Sequence, residues 1–347
     1  MNDRHAEGFD IPAVESWIKE NVDGLTPPCK WTKLEGGHSN ITYRLDDVSG
    51  RKAAIRRPPQ GELLPQAHDM SREWALISGL GSTSVPVPEA MGFCDDTRVT
   101  GVWFYVMGLI DGRPLYTAEQ TQEWVPEENR VTLAHSFFDV LADLHSLDPD
   151  AIGLGDLSKK ENYVGRQLKT WYRSWNASIE PAQYDDPRVH ELQQFFMDHM
   201  PEQGIARVVH GDYGLHNCLI GSCSTVVAVV DWEISTLGDP LADLAYALNS
   251  WPQSDEDKAA NPESPASAVG FPLRNELAQR YANRTGRNLD NLDYYIGFNR
   301  WKTAAIVHGV YARYREGKKS SKGIELDEMR KYIDGMITLA EQAVNRL

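Results

Sequence analysis

Strand-like and helix-like patterning are segregated along this chain, and that division constrains its fold more than any other feature. From Trp31 to Ile55, short β-like runs are broken by Gly36-Gly37 and Ser49-Gly50, the pattern of hairpins, and Pro58-Pro59 closes the region. Val102 to Met107 is a short apolar run between turn formers, which predicts a buried strand. Two helices are predicted among these strands. One covers 11–22, and the other covers 68–80, where Trp74, Ile77 and Leu80 recur at helical spacing. Beyond Gly108 the pattern turns helical, over 128–146, 161–178, 187–199, 240–250, 272–285, 289–316 and 325–346. Two β-like runs interrupt it, Val208-Val209 and Val226 to Val230, and residues 252–268, rich in Pro, Ser, Asp and Glu, read as a surface loop. The expected class is α+β: a small antiparallel-sheet lobe over 1–107 and a larger, mostly helical lobe over 108–347. A chain of 347 residues is long enough for both.

The polar chemistry gathers around those two interruptions, in His210-Gly211-Asp212-Tyr213-Gly214-Leu215-His216-Asn217 and, after the valine run, Asp231-Trp232-Glu233. Asp212, Asn217 and Asp231 fall on turns beside short apolar segments, and a buried β-pair would hold them rigidly while pointing them at solvent. Carboxylate and amide oxygens suit a hard cation such as Mg²⁺, which takes few protein ligands and keeps its waters. Taken singly, each is equally a residue that turns favour for local hydrogen bonds. The three together, at these offsets, are what point to a site. His210, His216, Cys218 and Cys223 also lie close in sequence, but their offsets match no common zinc pattern.

Composition narrows the partners. With 50 acidic against 35 basic side chains, the net charge of −15 argues against nucleic acid or a membrane surface as a general partner. No apolar run approaches the roughly 20 residues of a membrane span, and the N-terminus is too polar for a secretory signal. Four cysteines form no disulfide framework in a chain of this size, so a cytoplasmic setting is expected.

The motif pair resembles a known family. His-Gly-Asp-(x4)-Asn, with Asp212 five residues before Asn217, followed by Asp231-Trp232-Glu233, resembles the aminoglycoside phosphotransferase and choline kinase family, whose fold is protein-kinase-like. More narrowly, the chain is similar to the kinase-like domains fused to some acyl-CoA dehydrogenases and their free-standing bacterial relatives, over residues 30–315. The resemblance implies a two-lobed kinase-like fold and transfer of a phosphoryl group from Mg-ATP to a hydroxyl of a small molecule. Asp212 would accept or orient the proton of the attacking hydroxyl. Asn217 and Asp231 would hold Mg²⁺, and His210 would brace the loop. Ala53-Ala54-Ile55-Arg56 stands where kinases carry Val-Ala-Ile-Lys. Arg56 would therefore contact the nucleotide phosphates and pair with Glu73, although a guanidinium is a planar fork and not a point charge. Taken alone, Arg56 and Arg57 also fit a solvated strand end before Pro58. Gly36, Gly37, His38, Ser39 and Asn40 fit a phosphate-covering turn, or equally a plain hairpin. Tyr105 to Gly112, with Met107 and Leu109, matches the segment whose backbone would face adenine.

Only seven residues separate Asp231 from Asp239, and Asp239-Pro240 opens the next helix with an N-cap and a proline. That leaves no room for a long activation loop, as expected of a small-molecule kinase. Asp243, one turn into that helix, would brace the loop around Asp212 or simply complement the helix dipole. For the acceptor, residues 158–173 carry five basic residues and one acid. Arg166, Lys169 and Arg173 form one helical stripe, either a solvated face or an anion site, beside an apolar stripe of Val164, Leu168, Trp171 and Trp175. Glu233 is a further acceptor candidate. Trp251, Asn299, Arg300, Trp301 and His308 either line the acceptor side or, for the tryptophans, pack the core. An anionic acceptor such as a hydroxyacyl compound suits the basic stripe. An aminoglycoside would want carboxylates instead, and a catalytically inactive nucleotide-binding module is the third reading.

Overall fold

The computed structural model describes residues 6–34, 40–59, 69–318 and 325–347. Five antiparallel strands, β1 (Lys30–Lys33), β2 (Ile41–Asp46), β3 (Lys52–Arg57), β4 (Ala90–Cys94) and β5 (Phe104–Gly108), form a sheet in the order β1-β2-β3-β5-β4. Helix α1 (Ile11–Asn21) covers one face. Asp10 caps it by accepting the Ala13 N–H, and Ile11, Val14 and Ile18 are buried against Tyr43, Leu45, Ile55, Phe104 and Val106. Because strand side chains alternate, the intervening residues Arg56 and Tyr105, paired across β3 and β5, face the opposite side. There α2 (Met70–Leu80), capped by Asp69, packs with Leu76, Ile77 and Leu80. Its buried stripe includes one acid, Glu73.

The remaining part is mostly helical. Following α3 (Thr97–Thr100), it contains α4 (Ala118–Trp124), α5 (Arg130–Ser146), α6 (Tyr163–Ala182), α7 (Pro187–Asp198), α8 (Pro240–Leu248), α9 (Asp255–Ala260), α10 (Arg274–Thr285), α11 (Leu292–Arg315) and α12 (Leu326–Val344). One core joins α2 to α5, α8 and α10, and a second lies among α6, α7, α11 and α12. Arg72 of α2 ties the two parts together. Its guanidinium donates to the carbonyls of Leu157 (3.0 Å) and Ser235 (2.9 Å from Nε). Among the described residues, no helix is long and apolar enough to cross a membrane.

Two expectations are corrected. The β-like runs do not pair with each other. β6 (Arg207–Val209) pairs with β9 (Thr236–Gly238), and β7 (Cys218–Ile220) pairs with β8 (Val226–Val229), making two separate ladders. Three-residue strands carry too little alternation to announce themselves. The 252–268 stretch is not all loop either. Ser254 caps α9, whose first turn holds Asp255, Glu256 and Asp257 and so complements the helix dipole.

Candidate active site

β6 delivers the chain to a turn held from behind by one buried carboxylate. Asp243 on α8 accepts the His210 N–H at Oδ2 (2.7 Å) and the Gly211 N–H at Oδ1 (2.8 Å). Its Oδ2 also accepts from His145 Nε2 at 3.2 Å, and the Tyr281 hydroxyl donates to His145 Nδ1 at 2.7 Å. A carboxylate can only accept, so Nε2 carries the imidazole proton. Burial alone would push the Asp243 carboxyl up, but His145 and the loop N–H groups outweigh it and hold it below the ordinary carboxylate value. Asp243 is thus the brace of the loop, as well as a first-turn acid. Gly211 sits at φ +85°, where a Cβ would also press on Ile234 at 3.3 Å. His210 is fully buried and braces the loop, with Nε2 donating to the Val230 carbonyl (3.0 Å) and Nδ1 accepting the Asp212 N–H (3.3 Å).

Three side chains converge on the Asp212 carboxylate. Tyr246, also from α8, donates its hydroxyl to Oδ1 in a short hydrogen bond. Asn217 donates its amide to Oδ2 at 3.0 Å and to the Asp212 carbonyl at 3.0 Å, which leaves the Asn217 amide oxygen for another partner. His216 Nε2 lies 3.4 Å from Oδ2. Desolvation pushes this carboxyl up, but His216 above all, and then Tyr246, bring it below the ordinary value. A cavity of about 150 Å³ opens beside this cluster, lined by Leu115, Tyr116, His216, Ser250 and Ala266 among others.

Asp231 follows β8 in the left-handed conformation, at φ 66°, which turns its side chain out of the strand path. Arg56 crosses from the sheet to meet it, donating from Nη2 to Asp231 Oδ1 at 2.5 Å, while its Nε lies 3.1 Å from Glu73 Oε2. Tyr105 donates to Glu73 Oε2 at 2.7 Å, and Asn40 donates to Glu73 Oε1 at 2.9 Å and to Glu233 Oε2 at 3.4 Å. Burial lifts the Glu73 carboxyl above its usual value against the pull of Arg56. The Arg56 guanidinium stays firmly charged despite burial because Glu73, Tyr105 and Asp231 surround it.

The structure therefore brings together Asp212 and Asn217 on one loop, and Arg56, Glu73, Asp231, Asn40 and Glu233 in one network across the two lobes. Gly36, Gly37, His38 and Ser39 lie outside the described residues. Met107 lies opposite Ala54 near the end of β5, and Leu109 begins the connection that follows. Lys169 and Arg173 line a groove between α6 and α7 together with Met197 and Met200, and that groove includes none of the residues just named. Arg166 donates to the Lys159 carbonyl at 2.8 Å. Trp251, Asn299, Trp301 and His308 are buried packing residues. Tyr246 was missed by sequence reasoning. Its only signal is a position one turn beyond Asp243 on a helix already known to face the loop.

As for a metal, the Asn217 amide oxygen and Asp231 Oδ2 are oxygen donors left over by the hydrogen bonds above, which suits a hard cation. Among the described residues, no group of three or more His, Cys, Asp or Glu is placed to hold a metal. Mg²⁺, which draws most of its ligands from water and phosphate, does not require one.

Comparison with known proteins agrees with this geometry. The chain is 34% identical over 335 residues to acyl-CoA dehydrogenase family member 11 of Gallus gallus, covering 92% of this chain but only 42% of that protein, so it spans less than half the length of this relative. A crystal structure from Ralstonia eutropha JMP134, named a candidate aminoglycoside phosphotransferase, superposes with a TM-score of 0.83 at 28% identity, covering 97% of this chain and 99% of that one. The fold is shared with choline kinase of Cryptosporidium parvum, at a TM-score of 0.63 and 14% identity, covering 97% and 96% of the two chains. It is also shared with an aminoglycoside phosphotransferase solved in ternary complex with AMP-PNP and hygromycin B, at a TM-score of 0.56 and 14% identity, covering 94% and 98%. The two-lobed, kinase-like architecture is therefore established. Residues 30–289 match the model of the phosphotransferase enzyme family, and with a loop, a carboxylate network and a fold that all agree, this chain belongs to that family.

Proposed function

We propose that this protein moves the γ-phosphate of Mg-ATP to a hydroxyl of a small molecule, with residues 1–107 clamping the nucleotide and residues 108–347 carrying the acceptor site. The observation that carries this reading is the convergence of Asp212 and Asn217 on one braced loop, together with Asp231, which Arg56 reaches from the other lobe. Asp212 is held in one orientation and kept ionised, ready to accept the hydroxyl proton. Asn217 and Asp231 would hold Mg²⁺, which neutralises charge on the phosphates. Arg56, anchored by Glu73, reaches the phosphates with its remaining N–H groups. The backbone of Met107 and Leu109 faces the base in this reading. The acceptor we favour is a hydroxyacyl or other anionic metabolite, supported by the likeness to acyl-CoA dehydrogenase family members.

The test is Mg-ATP consumption over hydroxyacyl-CoAs, hydroxy acids, amino-alcohols and aminoglycosides, with Asp231→Ala as control. Turnover of an anionic alcohol that needs Mg²⁺ and vanishes in the control is expected. Turnover of cationic acceptors alone would indicate an antibiotic-type kinase. Thermal stabilisation by ATP without any turnover would leave only a nucleotide-binding module.

A pH dependence follows from the site. Asp212 must be ionised to take a proton, and its pKa is lowered, so the acid limb of the kcat/KM profile should fall below the ordinary carboxylate range. His216 makes the largest lowering contribution. His216→Ala should therefore move that limb to higher pH, and an unmoved limb would detach His216 from Asp212.

A further inference from the structure

Lys302 on α11 is the one buried lysine among the described residues, 7% exposed. Its ammonium has no hydrogen-bond or ion-pair partner among them, and it sits over the face of the Tyr246 ring, 5.8 Å from its centroid. The carboxylates nearest in electrostatic reach are Asp243 and Asp212. Neither needs it. Asp243 already accepts from His210, Gly211 and His145, and Asp212 from Tyr246 and Asn217, with His216 alongside. A largely buried cation without a hydrogen-bonded protein partner is costly, and an apolar side chain of similar length would pack there at less cost. Arg300 is a different case, since it donates to the Asn249 carbonyl at the end of α8 and so has a structural task. Lys302 has none beyond the packing of its stem.

We propose that Lys302 binds an anionic group, carboxylate or phosphate, of the phosphate acceptor, which lies along the Tyr246 ring with its hydroxyl at Asp212. The proposal rests on the phosphotransferase reading above and deepens it. Tyr246 links the two ends, because its ring faces Lys302 while its hydroxyl holds Asp212. An anion at one end of that ring and a hydroxyl at the other fixes the acceptor's orientation, which a lone hydroxyl contact cannot do. Burial lowers the Lys302 pKa, and an arriving anion would raise it again, favouring the charged form and strengthening the contact.

The test uses the full chain with Lys302→Met and Lys302→Gln. Turnover is compared for hydroxy acids, their uncharged amides and hydroxyalkyl phosphates, alongside the melting temperature. The expected result is a rise of about tenfold or more in KM for the anionic acceptors, the loss of one charge-assisted hydrogen bond. KM for ATP and for the amides should not change, and the melting temperature of Lys302→Met should be equal or higher. Whether acids or phosphates show the larger effect identifies the anion. Unchanged discrimination between acid and amide, or a lower melting temperature with unchanged acceptor KM, would mean that Lys302 is structural and would overturn the proposal. Wild-type turnover confined to neutral or cationic alcohols would overturn it while leaving the phosphotransferase reading intact. No turnover with any acceptor would sink both.

Discussion

Asp212→Asn is expected to lower kcat by a factor of about 10² to 10⁴, the usual contribution of a positioned proton acceptor, while leaving ATP affinity within about twofold. The asparagine is the same shape and can still accept the Tyr246 hydroxyl through its carbonyl oxygen. Fold and cleft should therefore survive, and the loss isolates proton acceptance. Single-turnover kinetics with the best acceptor, together with nucleotide titration by thermal shift, measure the two quantities separately. A variant keeping more than about a tenth of the wild-type rate would remove Asp212 from the role of base. Phosphoryl transfer would then depend on positioning and charge alone, which is a real alternative because little proton transfer occurs early in a loose transition state.

The largest stability effect is expected at Asp243. Asp243→Ala leaves the His210 N–H, the Gly211 N–H and the His145 ring N–H without their acceptor inside the core. Breaking a buried charged network from one side typically costs about 3–5 kcal/mol. Activity should fall as well, because the same hydrogen bonds hold the turn that carries Asp212. Urea unfolding curves check the first expectation, and a loss under about 1 kcal/mol would show that the loop is held by packing instead. The pH behaviour carries the same signature. The folded-state pKa of Asp243 lies below the unfolded value, so its stabilisation is fully present above the unfolded carboxylate pKa. It is lost as pH falls through the folded one. The alanine variant should therefore show a flatter acid limb of stability than the wild type.

Much of the architecture was legible in the residues themselves. Helical spacing located α1, α2, α5 to α8 and α10 to α12 to within a few residues, because each buries a long apolar stripe whose period survives in one dimension. Asp239-Pro240 announced the start of α8 through cap chemistry that is local. The offsets of Asp212, Asn217 and Asp231 pointed to a loop-and-hairpin site for the same reason, since the elements between them are short.

Contacts between distant elements were not written in any local pattern. The three-residue ladders chose their partners by packing on α5 and α8, so the expected pairing of the valine runs gave way to two separate sheets. Lys169 and Arg173 of the basic stripe of α6 line a groove against α7, because the rotation of a helix is set by what it packs against. The sequence alone determined which residues carry oxygen, charge and helical period. Only the tertiary structure decided that Tyr246 reaches Asp212, that the expected Arg56–Glu73 pair extends to Asp231, and that Lys302 is buried beside them. Those approaches join residues tens to hundreds of positions apart, and no local propensity encodes them.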